Sequence, residues 1–294
     1  MSVPFYLAIS GKFVIAGKEP DGDSVRFSAD NAEMYEELHR SDRIKLSRDG
    51  SVQLRFEGID APEVHYGKDA QILGNQARDR LLELMGFDNI KFSGDRVSAA
   101  EPDTISGVIL TKAADANGRP VCYVLLAEDA QNLERKNEIK VNKNLLEKTL
   151  NMALLSQGLA YYTVYTSTPA SHRRLLRQAA SKARAENLGV WAEDATSEFE
   201  LVNRDSITAP EGKLILPKLF RRSIDYLKAV AQGFNGNLKD WLLDNSDNSR
   251  NSRDENDRVL IRDQVEVKLS DLIEQRNSRV VFQEDLLNIT FVEK

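Results

Sequence analysis

The sequence predicts an α+β protein, with strands concentrated in its first half, helices gathered around them, and a small mixed unit at the C-terminal end. Three observations carry that prediction. Val52, Leu54 and Phe56 alternate with Gln53, Arg55 and Glu57, the period of a strand with one buried and one wet face. Asp21-Gly22, Asp49-Gly50 and Asn117-Gly118 fall between apolar runs, where they read as turns. Three other stretches, 69–85, 142–157 and 169–187, instead carry apolar residues every three or four positions.

The 294 residues suffice for one large domain or two ordinary ones, and an apolar fraction of 41% is enough for a core. A net charge of -6 supplies no global basic field. That weighs against non-specific capture of nucleic acid, but not against an enzyme whose metal site must be locally acidic. The single cysteine, Cys122, excludes an internal disulfide and lies in the apolar run 121–126, where it reads as a core residue. Met1 to Ile15 lacks the basic start and apolar centre of a signal peptide. No run approaches the ~20 apolar residues of a membrane helix. A cytoplasmic protein with no membrane segment is expected.

Taken in order, strand segments at 13–16 and 24–27 flank Pro20-Asp21-Gly22-Asp23. An acidic helical insert follows over 30–38, with Asp30 or Asn31 as its cap and Glu33 placed to close a capping box. It reads as surface elaboration, with shaping of a cleft rim as the alternative. The chain returns over 43–46, turns at Asp49-Gly50 and enters the alternating strand, which ends at Gly58. Pro62 turns the chain and biases Ala61 away from helix. Arg55, Asp60 and Glu63 are thereby delivered to one strand end, a grouping suited to a cation and a phosphate. A helix over 69–85 stops at Gly86; strands at 90–92 and 107–110 lead to the Asp115–Pro120 turn and a strand at 121–124. The charged stretch 128–140 reads as a loop, and a single helix is expected from Asn142 to Gln157. The third helix carries His172, Arg173, Arg174, Arg177, Lys182 and Arg184 away from its apolar face. These read as a solvated face, with a phosphate-contacting surface as the alternative.

The run from Arg55 to Glu63, Arg-Phe-Glu-Gly-Ile-Asp-Ala-Pro-Glu, resembles the signature of the staphylococcal nuclease family of thermonuclease-like proteins. Other segments fall in that family's order: Asp21-Gly22-Asp23-Ser24, the Gly118-Arg119 hairpin, the Val141-Asn142 helix closing on Gly158-Leu159-Ala160, and Asn187-Leu188-Gly189-Val190-Trp191. The resemblance spans about Lys12 to Asp194. It implies an OB-type five-stranded β-barrel with three helices, in a domain over 1–198. It also implies a metal-dependent phosphodiesterase, an endonuclease on DNA with RNA as an alternative substrate, leaving 5′-hydroxyl and 3′-phosphate ends. One Ca2+ ion is the implied cofactor, with other divalent metals as substitutes.

By the same resemblance Asp23, Asp60 and the carbonyl of Ala61 hold the ion, Arg55 and Arg119 grip phosphoryl oxygens, Glu63 is the general base, and Tyr165 contacts the nucleotide. The chain departs from the family pattern at several points. Ala61 stands where a threonine is common, Asn117 where an aromatic is usual, and the tyrosines after Gly158 are displaced by a residue. A catalytically silent nucleic-acid-binding module is the competing reading; such modules usually lack several of the acids and arginines, whereas Asp23, Arg55, Asp60, Glu63 and Arg119 are all present here.

The tail reads as a second α+β module over 212–294, after a linker at 201–211. Helices are expected at 217–232 and 238–243, and strands at 259–261, 265–269, 280–282 and 287–291. Asp244 to Asp257 reads as a mobile polar loop without the central glycine and closing glutamate of a calcium-binding EF-hand. The module resembles no family, carries no catalytic signal, and is the candidate surface for a protein partner or a homo-oligomer. The three histidines, His39, His65 and His172, are too far apart for a zinc spacing.

Overall fold

A computed structural model describes residues 5–131, 133, 138–243 and 257–293. Strand β1 (Phe5–Val14) is the spine of the main sheet. It pairs antiparallel with β2 (Arg26–Ala29) on one side and with the long β8 (Thr104–Ala114) on the other. The sheet extends from β2 to β3 (Val52–Gln53), and from β8 through β9 (Pro120–Leu126) to β4 (Arg55–Phe56). The two ends are successive pieces of one chain segment, so the sheet curls into a nearly closed barrel of OB type. Small residues permit the curl. Gly11 lies opposite Gly107, and a Cβ on Gly107 would meet the Phe13 ring at 2.4 Å. Phe13 and Phe27 fill the space with ring centroids 5.0 Å apart.

The predicted strands at 13–16 and 24–27 are thus parts of β1 and β2, both set differently from their expected ends. The insert forms a short 3-10 helix over Ala32–Glu37, capped by Asn31, whose side chain accepts from the Glu33 amide. Residues 44–46 form no strand. Strand β5 (Ile59–Asp60) follows β4 after Gly58, and α1 (Gly74–Met85) lies beyond it. This helix starts five residues later than predicted, because 66–73 are held in turns: Tyr66 and Asp69 exchange backbone bonds and Leu73 adopts φ 65°. A hairpin of β6 (Asp88–Ser93) and β7 (Arg96–Glu101) stands outside the barrel. β7 was not foreseen, since only Val97 and Ala100 of it are buried.

A short β10 (Ile139–Lys140) pairs with the start of β1. The helix expected over 142–157 is two: α2 (Lys143–Leu146), capped by Asn142, and α3 (Leu150–Ser156), capped by Thr149. The Thr149 hydroxyl donates to the Leu146 carbonyl at 2.7 Å and accepts from the Met152 amide at 3.2 Å, closing one helix and opening the next. Strand β11 (Tyr161–Tyr162) pairs with β5, placing Tyr161 opposite Asp60. Helix α4 (Ala170–Ala185) and the single turn α5 (Val190–Glu193), carrying buried Trp191, complete this part. His172 is not on a solvated face. It is buried, with Tyr123 Oη 3.1 Å from Nδ1 and the Val141 carbonyl 2.9 Å from Nε2.

The tail is woven into the same core. Residues 201–211, read as a linker, are packed: Leu201 and Ile207 are buried and the Ala209 amide donates to Ala70. Strand β12 (Glu198–Glu200) pairs across to the tail strands, defined below. Helix α6 (Pro217–Ala231) buries Leu219, Phe220 and Ile224, and α7 (Leu238–Leu243) buries Trp241. Two small sheets follow. One holds β13 (Arg258–Ile261), β14 (Val265–Lys268) and β17 (Ile289–Phe291); the other sets β16 (Arg279–Phe282) between β12 and β15 (Ile273–Arg276). β17 is tied to the loop after β11, with the Phe291 amide on the Val164 carbonyl at 2.9 Å. Of the polar stretch 244–257, only Asp257 is among the described residues. No helix among the described residues is long and apolar enough to cross a membrane.

Candidate active site

The site grows from the ends of β4 and β5. Backbone bonds from Phe56 to the Asp23 carbonyl and from Leu54 to Val25 lay the Asp21–Ser24 turn beside β4. Gly22 lets that turn sit tightly, for a Cβ there would meet the Ala61 Cβ at 2.6 Å and the Ala77 Cβ at 2.9 Å. Ala61 is buried, and its amide donates to Asp23 Oδ2 at 3.3 Å. Glu63 is held by Gln71: the Glu63 amide donates to the Gln71 side chain at 3.2 Å, and the Gln71 amide donates to the Glu63 carbonyl at 2.9 Å. Gly74 lies under this turn, where a Cβ would strike the Glu63 carbonyl oxygen at 2.5 Å.

Asp23, Arg55, Asp60, Glu63 and Arg119 all line one cleft of about 790 Å3, together with Asp21 and His65. Arg55 and Arg119 also line a second cleft of about 480 Å3 that contains Tyr165. The two guanidiniums therefore stand on the wall between an acidic chamber and an aromatic one. Arg55 lies over the Tyr165 ring at 5.6 Å and donates to its hydroxyl at 3.4 Å. Arg119 is braced by Asp115 through Nε at 2.8 Å and Nη2 at 2.7 Å, while Asp115 also accepts from the Asn117 and Arg119 amides. The turn needs glycine at 118, where φ is +79° and a Cβ would lie 2.1 Å from the Arg43 carbonyl oxygen.

The acids repel one another. Burial and the charge of Asp23 push Asp21 up to about 7, and burial with the charge of Asp60 raises Asp23. Burial pushes Glu63 up to about 7, although a guanidinium opposes it. That guanidinium is Arg221, on α6. Its Nη2 donates to Asp60 Oδ2 at 2.9 Å, and its Nη1 to Asp60 Oδ1 at 3.4 Å and to Glu63 Oε1. Against the cost of burial, Arg221 and then Arg55 hold Asp60 below the usual carboxylate value.

The sequence reading gave the tail no role in chemistry; Arg221 corrects it. No local pattern marks that residue, since Arg221-Arg222 reads as the polar side of an amphipathic helix. Asp21 was also missed, because Asp-Gly is a complete explanation of a turn. His65 lines the cleft, with its Nδ1 buried and unpartnered among the described residues.

Residues 53–193 match the family model described as staphylococcal nuclease homologue. That stretch is a staphylococcal nuclease homologue domain. It includes Arg55, Asp60, Glu63, Arg119 and Tyr165, while Asp23 precedes it and Arg221 follows it. A search of curated proteins returned no match to the chain. Nuclease-type, nucleic-acid-directed function is the general character of this family, which also contains catalytically silent members.

The cleft presents hard oxygen donors of the kind a divalent cation takes, from the matched stretch and from Asp23 before it. The charge of Asp60 raises Asp23 while Arg55 and Arg119 oppose the rise, so the two carboxylates lie near each other among guanidiniums. The donor chemistry fits. Among the described residues, no three His, Cys, Asp or Glu side chains are gathered as a metal-holding group, and Asp60 has both oxygens on Arg221.

Proposed function

We propose that the chain is a metal-dependent phosphodiesterase, an endonuclease that hydrolyses DNA and, as an alternative substrate, RNA. The observation that carries this reading is the meeting, in one cleft, of five side chains drawn from positions 23 to 119: two arginines beside three carboxylates. Hydrolysis of a phosphodiester needs charge neutralisation on the phosphoryl oxygens, a nucleophilic water and alignment of the two. Arg55 and Arg119 present planar forks suited to two phosphoryl oxygens. Glu63, raised toward neutral pH by burial, is suited to take a proton from the attacking water. The new P–O bond forms as the bond to the 5′ oxygen breaks; that oxygen takes a proton, leaving a 5′-hydroxyl and a 3′-phosphate. A Ca2+ ion held by Asp23, Asp60 and the Ala61 carbonyl would add Lewis-acid charge at the phosphoryl group.

Tyr165, beyond Arg55, offers an aromatic face for a base. Its ring also meets Phe291 of β17, with centroids 5.7 Å apart, so the tail borders the nucleotide side as well. The silent-module alternative is disfavoured by the retention of every acid and arginine. The test is analysis of the ends produced from a defined DNA duplex by wild type, Glu63→Gln and Arg55→Ala. Fragments with 5′-hydroxyl ends from wild type alone support the reading. Binding of the duplex without product by well-folded wild type would favour the silent module.

A further inference from the structure

The acids of the cleft already face a cation, and the tail supplies it. Arg221 spans Asp60 and Glu63 with one guanidinium, and both Asp60 oxygens receive its N–H groups. Its backbone is fixed. Leu219, Phe220 and Ile224 of α6 are wholly buried, and the neighbouring Lys218 and Arg222 both bind the buried Asp257. One turn further on, Asp225 accepts from the Tyr66 hydroxyl at 2.7 Å. The Arg221 side chain itself is less enclosed. It is 25% exposed and opens onto the cleft of about 790 Å3. An arginine has a long flexible stem, so the guanidinium can leave the acids without any displacement of the helix.

We propose that Arg221 is an intramolecular rival of the divalent cation, a positioning residue that holds Asp60 and Glu63 and must release Asp60 before the ion can bind it. This rests on the metal-dependent reading above and extends it to a residue outside the matched domain. The physical reason is direct. A divalent ion and a guanidinium on the same carboxylate oxygens repel strongly in a site sheltered from water, so the two cannot share Asp60 in the arrangement observed. The acids also need a cation when the ion is absent, since buried carboxylates left unpaired are costly. Arg221 fills that need and thereby sets how much metal is required to displace it. The tail then belongs to the active site as the element that fixes its metal threshold.

The experiment is calorimetric titration of the full chain with CaCl2, without nucleic acid, on wild type, Arg221→Gln and Arg221→Lys, with Asp60→Asn in each background. Thermal melting in EDTA checks that each variant is folded. Arg221→Gln is expected to bind Ca2+ on the order of tenfold more tightly than wild type. Arg221→Lys, which keeps the charge but cannot fork across two acids, falls between them. Asp60→Asn weakens binding in both backgrounds. Equal or weaker Ca2+ binding by folded Arg221→Gln overturns the inference alone and leaves metal-dependent cleavage standing. Should Arg221→Gln fail to fold, Arg221→Lys decides, and an affinity equal to wild type overturns the proposal. Absence of Ca2+ binding in every variant overturns both the inference and the calcium reading, while plasmid cleavage in Mg2+ or Mn2+ but not in EDTA separately shows whether the metal-dependent nuclease reading survives.

Discussion

Glu63→Gln should stabilise the metal-free protein at alkaline pH. Glu63 is 9% exposed. Burial, opposed by Arg221 and reinforced by Asp60, Asp21 and Asp23, lifts its pKa from 4.5 to about 7. Between those values the folded state binds more protons at this group than the unfolded state, so stability falls as pH rises through that window. Above about 7 the full cost is present, and below 4.5 it is absent. A displacement of that size corresponds to at most about 3 kcal/mol. Glutamine removes that cost, which is already net of the pull of Arg221 on the carboxylate. Arg221 keeps its bonds to Asp60 in the variant. The expectation is a gain of up to about 3 kcal/mol at about pH 8. Near pH 4.5 the gain should vanish or reverse. Urea denaturation in EDTA at the two pH values measures it. A variant no more stable than wild type at about pH 8, or a difference independent of pH, would refute the electrostatic reasoning.

Two further outcomes follow from the geometry. Arg55→Ala and Arg119→Ala should each lower the rate of cleavage by about 10²–10³-fold with the fold retained, by analogy with loss of one oxyanion donor, and single-turnover kinetics with circular dichroism would check both halves. Phe220→Ala should cost about 3–5 kcal/mol in global unfolding, because α6 shares the barrel's core; a separate, low-stability transition of the tail in denaturant would contradict that.

Much of the site was legible because its residues are close in sequence. Arg55, Asp60 and Glu63 lie within nine positions, and the alternation before Gly58 with the turn at Pro62 is enough to place them at one strand end. Arg119 was legible only through the resemblance of its Gly118-Arg119 hairpin to the family's, since an arginine in an Asn-Gly turn is otherwise ordinary. Arg221 was not, because it reaches Asp60 and Glu63 across 161 and 158 residues, and an amphipathic helix does not disclose what faces its polar side. The split between α2 and α3 was hidden for a related reason. Leu146, Leu150 and Leu154 continue one apolar stripe straight through Thr149, whose hydroxyl ends one helix and begins the next. β7 escaped because its two buried residues are three apart, which is no strand alternation at all.

The most direct measurement is cleavage of supercoiled plasmid DNA by the full chain, in Ca2+ and in EDTA, beside Arg55→Ala. The expected result is nicking and linearisation by wild type in Ca2+, none in EDTA, and a large loss in the variant. Cleavage that persists in Arg55→Ala, or no cleavage by folded wild type with any divalent metal, would contradict the assignment of catalysis to this cleft.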